Sequence, residues 1–271
     1  MDLVQAIILG IVQGATEFIP ISSSGHLVLV PWLFGWDDPG LTYDAIVHWG
    51  TLLAVLSFFW RDFWEIARNF LSGLVRGEVW GDQTRLGWLL IVGTLPAAVI
   101  GLLLESQFEA LFGKPQWVAL FLMGTGCLLW LSERWRQSGK TLSDMGVPDA
   151  LVIGFAQALA ITPGISRSGS TIAAGLLRGL DRATAARFSF LLMAPIVFGA
   201  GAKKTLDLLS AGVDSATLLP VGLGFLAAAL TGYVSIGFLM RYLQRATLHL
   251  FAYWCWGFGF FCFVLALWRG G

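Results

Sequence analysis

Two short strings in this sequence gather residue types that handle phosphate. The first, QGATEFIPISSSGH at 13–26, holds Gln13, Thr16, Glu17, Ser22, Ser23, Ser24, Gly25 and His26. The second, ITPGISRSGST at 161–171, holds Thr162, Gly164, Ser166, Arg167, Ser168, Gly169, Ser170 and Thr171. Glycine lets a ligand approach the backbone closely, and the N–H groups that open a helix attract anions. A planar guanidinium grips two oxyanion oxygens at once. The second string therefore reads as an oxyanion cradle, phosphate foremost, built from Gly164, Ser166, Arg167, Ser168, Gly169 and Thr171. Ser22 and Ser24 extend that set from the first string. Gln13 and Glu17 stand four residues apart and share one face of a helix. Oxygen ligands so spaced suit Mg2+ or Ca2+, which would also offset phosphate charge. His26 is a candidate for moving a proton to or from a seryl hydroxyl, a water or a leaving oxygen. His48 is a weaker candidate for the wall of the site, and His249 reads as interfacial.

These polar strings sit in an apolar chain. Of 271 residues, 56% are hydrophobic and 13% are charged, against roughly 25% charged in a soluble domain. The chain could not cover a water-facing surface, so it is read as an integral membrane protein. Seventeen basic residues balance seventeen acidic ones, which leaves no basic field for nucleic acid. Disorder, coiled coil and disulfide scaffold are excluded as well. Cys127, Cys255 and Cys262 lie in apolar runs without metal-ligand spacing and read as small core residues. The first Lys or Arg is Arg61, so the basic start of a cleaved leader is not expected.

A span needs roughly 20 apolar residues. Six are predicted, at about 43–60, 86–104, 116–133, 187–202, 217–240 and 247–268. Pro96 and Pro195 are expected to kink two of them, and 61–85 is expected to form an amphipathic helix and loop on the membrane surface. The apolar runs 3–16 and 150–161 are only half a span long. Each meets a Pro/Gly/Ser break and resumes as a short apolar piece, 27–36 and 170–180. Broken half-helices at membrane depth are tolerated where they line an enclosed cavity, so each is read as a re-entrant hairpin. A shift of 144 positions superposes Gly10, Gln13, Ile21, Ser22, Ser24 and Gly25 on Gly154, Gln157, Ile165, Ser166, Ser168 and Gly169. Three spans separate the copies, so the second hairpin must enter from the opposite face. The predicted fold is thus an all-α polytopic membrane protein: six transmembrane helices plus two re-entrant helical hairpins in an inverted-topology repeat. It forms a single transmembrane domain with repeats at approximately 1–135 and 145–271.

Charge counting orients it. Loops 61–85, 134–148, 178–187 and 241–246 hold twelve Lys and Arg residues, the opposite loops four. The positive-inside rule then places both termini outside and leaves Arg167 between the faces. The hairpin tips should meet near the midplane, where a charge costs on the order of 3 kcal/mol and marks function unless it is a structural ion pair. Glu17 and Arg167 are those charges. Where the second copy has Ile161 and Ser170 the first has Glu17 and His26, and where the second has Arg167 the first has Ser23, as expected of two halves sharing one site.

QGATEFIPISSSGH and PGISRSGST resemble the two signature motifs of bacterial undecaprenyl-diphosphate phosphatases of the bacitracin-resistance type. The FSFLLMAP string at 188–195, the length and the span layout extend the resemblance over nearly the whole chain. The resemblance implies a plasma-membrane enzyme that removes the terminal phosphate from a C55 polyprenyl diphosphate and recycles the carrier of cell-wall synthesis. Carried over by residue, it implies Gln13 and Glu17 as the glutamate-rich motif, Ser23 as the motif serine, His26 as the histidine and Arg167 as the arginine. Gln13 stands where many relatives have Glu, which leaves one carboxylate and one amide oxygen for the cation. The expected mechanism has Arg167 and the 164–171 backbone stabilise the transferring phosphoryl group, Glu17 and Gln13 hold Mg2+ or Ca2+, and Ser23, activated by His26, or water attack. The expected partners are the lipid substrate, membrane lipids and a second copy in a homodimer. The rival reading is a secondary transporter or lipid-carrier flippase, which shares inverted repeats and broken helices. An acid-phosphatase-like lipid phosphatase is rejected, because it needs a nucleophilic histidine downstream of the arginine motif and the only one, His249, lies at a predicted span end far from it.

Overall fold

The computed structural model describes residues 1–136, 139–211 and 215–269. Gln137 and Ser138 of the 134–148 loop, and residues 270–271 at the end of the second repeat, lie outside the described residues. Eleven α-helices occur among those described: α1 (Leu3–Phe18), α2 (Ser23–Phe34), α3 (Gly40–Phe58), α4 (Trp60–Val75), α5 (Asp82–Phe112), α6 (Pro115–Trp135), α7 (Val147–Leu159), α8 (Arg167–Leu177), α9 (Arg182–Ala211), α10 (Ser215–Tyr242) and α11 (His249–Trp268). Five are long and apolar enough to cross a membrane: Asp82–Leu104 of α5, all of α6, Arg182–Leu206 of α9, Leu218–Tyr242 of α10, and α11. Tyr43–Phe58 makes a sixth when taken with α4, from which it bends by 76°. That bend separates the predicted span 43–60 from the predicted surface segment. Charges at Arg61, Asp62, Glu65 and Arg68 alternate in α4 with Trp64, Ile66 and Phe70, so one side of the helix can face lipid while the other faces water.

Pro96 and Pro195 lie inside helices that run on past them, and the non-helical backbone in α5 falls at Leu104 (φ −118°, ψ 17°). One expectation is corrected: the short pieces after the breaks begin earlier than 27 and 170, at Ser23 and Arg167. The cause is capping: Ser22 Oγ accepts the Gly25 N–H at 3.2 Å, and Ser166 Oγ accepts the Gly169 N–H at 3.0 Å. Ser23 to His26 and Arg167 to Thr171 therefore lie on the opening turns of α2 and α8, not in loops.

The 144-residue repeat extends to packing. α1 lies against α10, where a Cβ on Gly10 would stand 2.4 Å from the Gly224 carbonyl oxygen. α7 lies against α5, where a Cβ on Gly154 would stand 2.4 Å from the Gly93 carbonyl oxygen. Glycine alone allows such backbone contact between membrane helices. Each leading half-helix thus packs on a span from the other half of the chain, and the halves interleave.

The loops that charge counting placed together are bonded together. Arg187 pairs with Asp62, and Arg85 Nε donates to Met145 O at 3.0 Å. Arg178 Nε and Lys140 Nζ both reach Asp149, at 2.7 and 3.2 Å. Arg182 grips Glu133 with two bonds of 2.7 Å, and Glu133 also accepts the Leu248 N–H at 2.9 Å. All four basic loops therefore share one face.

Candidate active site

The two breaks touch. Arg167 Nη2 donates to Glu17 Oε1 at 2.7 Å, across 150 residues of sequence. A Cβ on Gly25 would lie 3.2 Å from Gly164 Cα, and one on Gly169 would lie 3.4 Å from the Pro20 carbonyl oxygen. Both charges are largely buried in the protein. The contact joins a carboxylate at the end of α1 to a guanidinium at the start of α8, where the helix dipole adds positive potential.

Glu17 is the hub. Its Oε2 accepts the Ser23 hydroxyl and the Gln13 Nε2–H at 3.1 Å, and His48 Nε2 lies 3.9 Å from the same oxygen. Gln13 and Glu17 share a helix face as expected, and Ser23 reaches them because the cap at Ser22 turns α2 back towards α1.

His26 goes elsewhere. Its Nδ1 pairs with Ser22 O at 2.8 Å, and its Nε2 accepts the Trp254 indole N–H at 3.1 Å. The ring stacks on Phe258 at 4.9 Å and on Trp254 at 6.2 Å. With Nδ1 donating to a carbonyl and Nε2 accepting from an indole, both nitrogens are occupied. The hydrogen bond of Ser23 runs to Glu17 and not to His26, because the i+3 side chain on α2 points into the aromatic face of α11. His48, expected only as wall, is the imidazole beside the carboxylate.

The other expected phosphate ligands divide into two sets. Ser22 with Ser24, and Ser166 with Ser168, form matching hydroxyl pairs at 3.3 and 3.2 Å. Thr171 instead bonds Arg167 O at 2.8 Å and Ser189 Oγ at 2.6 Å, which ties α8 to α9. Gly164 has φ +95°, and a Cβ there would lie 2.3 Å from Val118 O. Thr125, on α6, was not singled out by sequence. It donates to Gly164 O at 3.0 Å and accepts the Ser166 N–H at 2.9 Å, pinning the cradle from both sides. A lone threonine in an apolar span gives no local signal of this. His249 sits at the start of α11 on the basic face, beside Thr247 and Tyr253.

Buried polar atoms without a protein partner are Gln13 Oε1, Arg167 Nη1, Ser170 Oγ and both amide atoms of Gln157 in the two hairpins, and Asp44 Oδ1 on α3 and Gln116 Oε1 on α6 outside them. A buried polar group left unpaired costs about 1–3 kcal/mol, and the hairpin groups are ones a polar ligand would satisfy. Among the described residues no three His, Cys, Asp or Glu side chains gather as a metal cage. Glu17 and Gln13 are the oxygen-bearing pair expected to hold a hard cation, and Gln13 here turns its Nε2, not its carbonyl, toward Glu17. The arrangement can bind a phosphorylated ligand, polarise it with Arg167, and take a proton from Ser23 or water at Glu17.

The family model described as bacitracin resistance protein BacA matches residues 6–261. A protein of Moorella thermoacetica named undecaprenyl-diphosphatase is 47% identical over 251 residues, covering 93% of both chains. One of the same name from Thermomicrobium roseum is 45% identical over 259 residues, covering 93% of both. Another, from Methanosphaera stadtmanae, is 42% identical over 277 residues, covering 98% of this chain and 99% of its own.

Proposed function

The chain belongs to the bacitracin resistance protein BacA family, and from that membership we infer that its paired breaks form a diphosphatase site. The protein is a multi-pass membrane phosphatase. It hydrolyses undecaprenyl diphosphate to undecaprenyl phosphate and inorganic phosphate, and so recycles the lipid carrier used in cell-wall synthesis. One observation carries the assignment of the site: the 2.7 Å contact between Glu17 and Arg167, one charge from each break.

Arg167 lies across the terminal phosphate, with Nη1 free to take a second phosphate oxygen, and the N–H groups opening α8 share the growing charge. Ser23 Oγ attacks the terminal phosphorus. Its proton passes to Glu17, the bridging P–O bond breaks, and the electron pair leaves with the prenyl phosphate. Water then cleaves the phosphoserine and releases inorganic phosphate. In the alternative step water attacks directly and Ser23 only holds the phosphate. Trapping a phosphoserine at Ser23 supports the first course, and its absence in rapid-quench samples supports the second. His26 is a positioning residue, since it fixes the cap carbonyl of Ser22 against α11. Gln13 and Glu17 would hold a divalent cation, Mg2+ or Ca2+, whose charge when bound eases the approach of an anionic diphosphate.

The repeat is read as inverted, with the first hairpin entering from outside and the second from the cytoplasm of a bacterial plasma membrane. Both termini lie outside and the site opens outward. The shared basic face supports this orientation; cysteine accessibility at positions 38 and 143 in intact cells tests it. Assembly as a homodimer belongs to the same reading and is tested by cross-linking in membranes. For the chemistry, the test is purified protein in detergent with undecaprenyl diphosphate and Mg2+. Phosphate release that is lost in Glu17→Ala and Arg167→Ala is expected. Counterflow of intact substrate without release would instead support the transporter or flippase reading.

A further inference from the structure

The hydroxyl of Thr171 is turned into the protein, away from any phosphate. Its Oγ1 lies 2.8 Å from Arg167 O, 3.2 Å from Ser168 O and 2.6 Å from Ser189 Oγ on α9. A threonine hydroxyl carries one proton, and a carbonyl can only accept. The proton of Thr171 therefore goes to the carbonyls of α8, and Ser189 donates the third bond. Both side chains are fully buried, so the pair is closed to solvent.

The repeat shows what this pair replaces. A shift of 144 positions sets Leu27 opposite Thr171 and Ala45 opposite Ser189, and both of those are buried too. The half that carries Glu17 is apolar at these two positions, whereas the half that carries Arg167 bears hydroxyls. A hydrogen bond between membrane helices contributes little to stability on average, and an apolar pair fills such a space without burying polar groups. Stability alone does not account for the hydroxyls. Their reach does: Arg167 O and Ser168 O are the first two carbonyls of α8, and the Arg167 side chain leaves the same turn to meet Glu17 at 2.7 Å. Thr125 holds the cradle from the other side, at Gly164 O and the Ser166 N–H. The start of α8 is thus clamped from α6 and from α9.

We propose that Ser189 is a positioning residue of the diphosphatase reaction, acting through Thr171 to hold the first turn of α8 so that the Arg167 guanidinium spans Glu17 and the terminal phosphate. The inference deepens the diphosphatase reading and rests on it. Its effect is on orientation, where a misplacement of about 1 Å can cost on the order of 10²-fold in rate.

Phosphate release from undecaprenyl diphosphate with Mg2+ is measured in detergent for Ser189→Ala, Thr171→Val and the double variant, together with thermal unfolding. In Ser189→Ala kcat should fall about tenfold while KM changes by less than about twofold, because charge still draws the phosphates in and only their alignment is lost. The double variant should lose no more than Thr171→Val alone, since two residues in one chain of bonds are not additive. It strands no hydroxyl, so its unfolding temperature should stay near that of the unaltered protein even where Ser189→Ala destabilises. Near-normal kcat in the double variant, losses that multiply, or a rise in KM in place of the fall in kcat overturns the proposal. A fall in kcat matched by early unfolding of the double variant assigns the effect to packing and overturns it as well. The unaltered protein keeps the two readings apart: no release from it sinks the diphosphatase reading, whereas release that Ser189→Ala leaves unchanged sinks only the role of Ser189.

Discussion

The two breaks carry the same backbone device and opposite chemistry. In both, a serine caps a short helix, a second serine two residues on faces the cap, and a glycine donates the capping N–H. The chain must also turn through positive φ once in each. In the second break Gly164 does so, at φ +95°. The equivalent position in the first is Pro20, whose ring fixes φ near −65°, and the turn moves to Ser22 at φ 70°. Among the side chains that differ, Glu17 against Ile161 and Ser23 against Arg167 are the ones that meet at the common site. Repetition supplies two anion-binding helix starts at little cost in new sequence, and divergence gives one the charge and the other the proton-handling groups.

Cutting the link between the halves should have the largest effect. Arg167→Ala leaves the Glu17 carboxylate buried without its cation and removes the guanidinium from the phosphate. Phosphate release should fall by about 10³-fold or more, the scale seen when an arginine is removed from phosphoryl transfer. Arg167→Lys keeps charge but loses the fork, and should recover only a small part of that loss. Steady-state phosphate release in detergent measures both. Near-normal turnover in Arg167→Ala would mean the halves do not share a site.

The turns should differ in sign. Gly164→Ala puts a methyl 2.3 Å from Val118 O, against backbone, and strains φ +95°; a loss of about 3 kcal/mol or more is expected. Ser22→Gly does the reverse. Glycine is a cap only a few tenths of a kcal/mol poorer than serine, while relief of a strained φ contributes about 1–3 kcal/mol. Thermal unfolding in detergent should therefore rise for Ser22→Gly and fall for Gly164→Ala. Equal falls would show that the first turn is not under strain.

Much of this was legible in sequence because the signals are local. Spans show as charge-free runs, the breaks as Pro/Gly/Ser strings, and the repeat as a fixed shift. The predicted meeting of Glu17 and Arg167 followed from topology and charge alone, since two buried charges of opposite sign have few other partners. What sequence could not place were contacts set by packing between distant helices. Nothing near His26 announces that Trp254 and Phe258 will enclose it, and nothing near His48 announces Glu17. An apolar span also hides its polar residues: Thr125 looks like any threonine tolerated in a helix until the loop it holds is seen.

Thr125 gives the next test of how the halves differ. It satisfies two backbone groups of the second break, Gly164 O and Ser166 N–H, that no helix can satisfy in the membrane. Thr125→Val keeps the shape and strands both, at about 1–3 kcal/mol. It should lower turnover more than it weakens substrate binding, because Arg167 follows directly on the loosened cap. Thr125→Ser should restore activity. Failure of serine to rescue would assign the effect to packing.

The first break is held by aromatic contact instead, and the smallest effect is expected there. Trp254 donates one hydrogen bond to His26 Nε2, and the ring also stacks on the imidazole. Trp254→Phe removes the donor and keeps most of the stacking surface. A net hydrogen bond contributes about 0.5–1.5 kcal/mol, so a few-fold loss of activity and a small fall in melting temperature are expected. His26 would remain enclosed by Phe258, with Nδ1 still on Ser22, and the Ser23–Glu17 bond does not pass through it. If His26 were instead the base that activates Ser23, freeing Nε2 would raise its basicity and shift the pH profile of turnover. An unshifted profile in Trp254→Phe, with the modest loss, is the outcome that keeps proton transfer at Glu17 and leaves His26 as the anchor of its half.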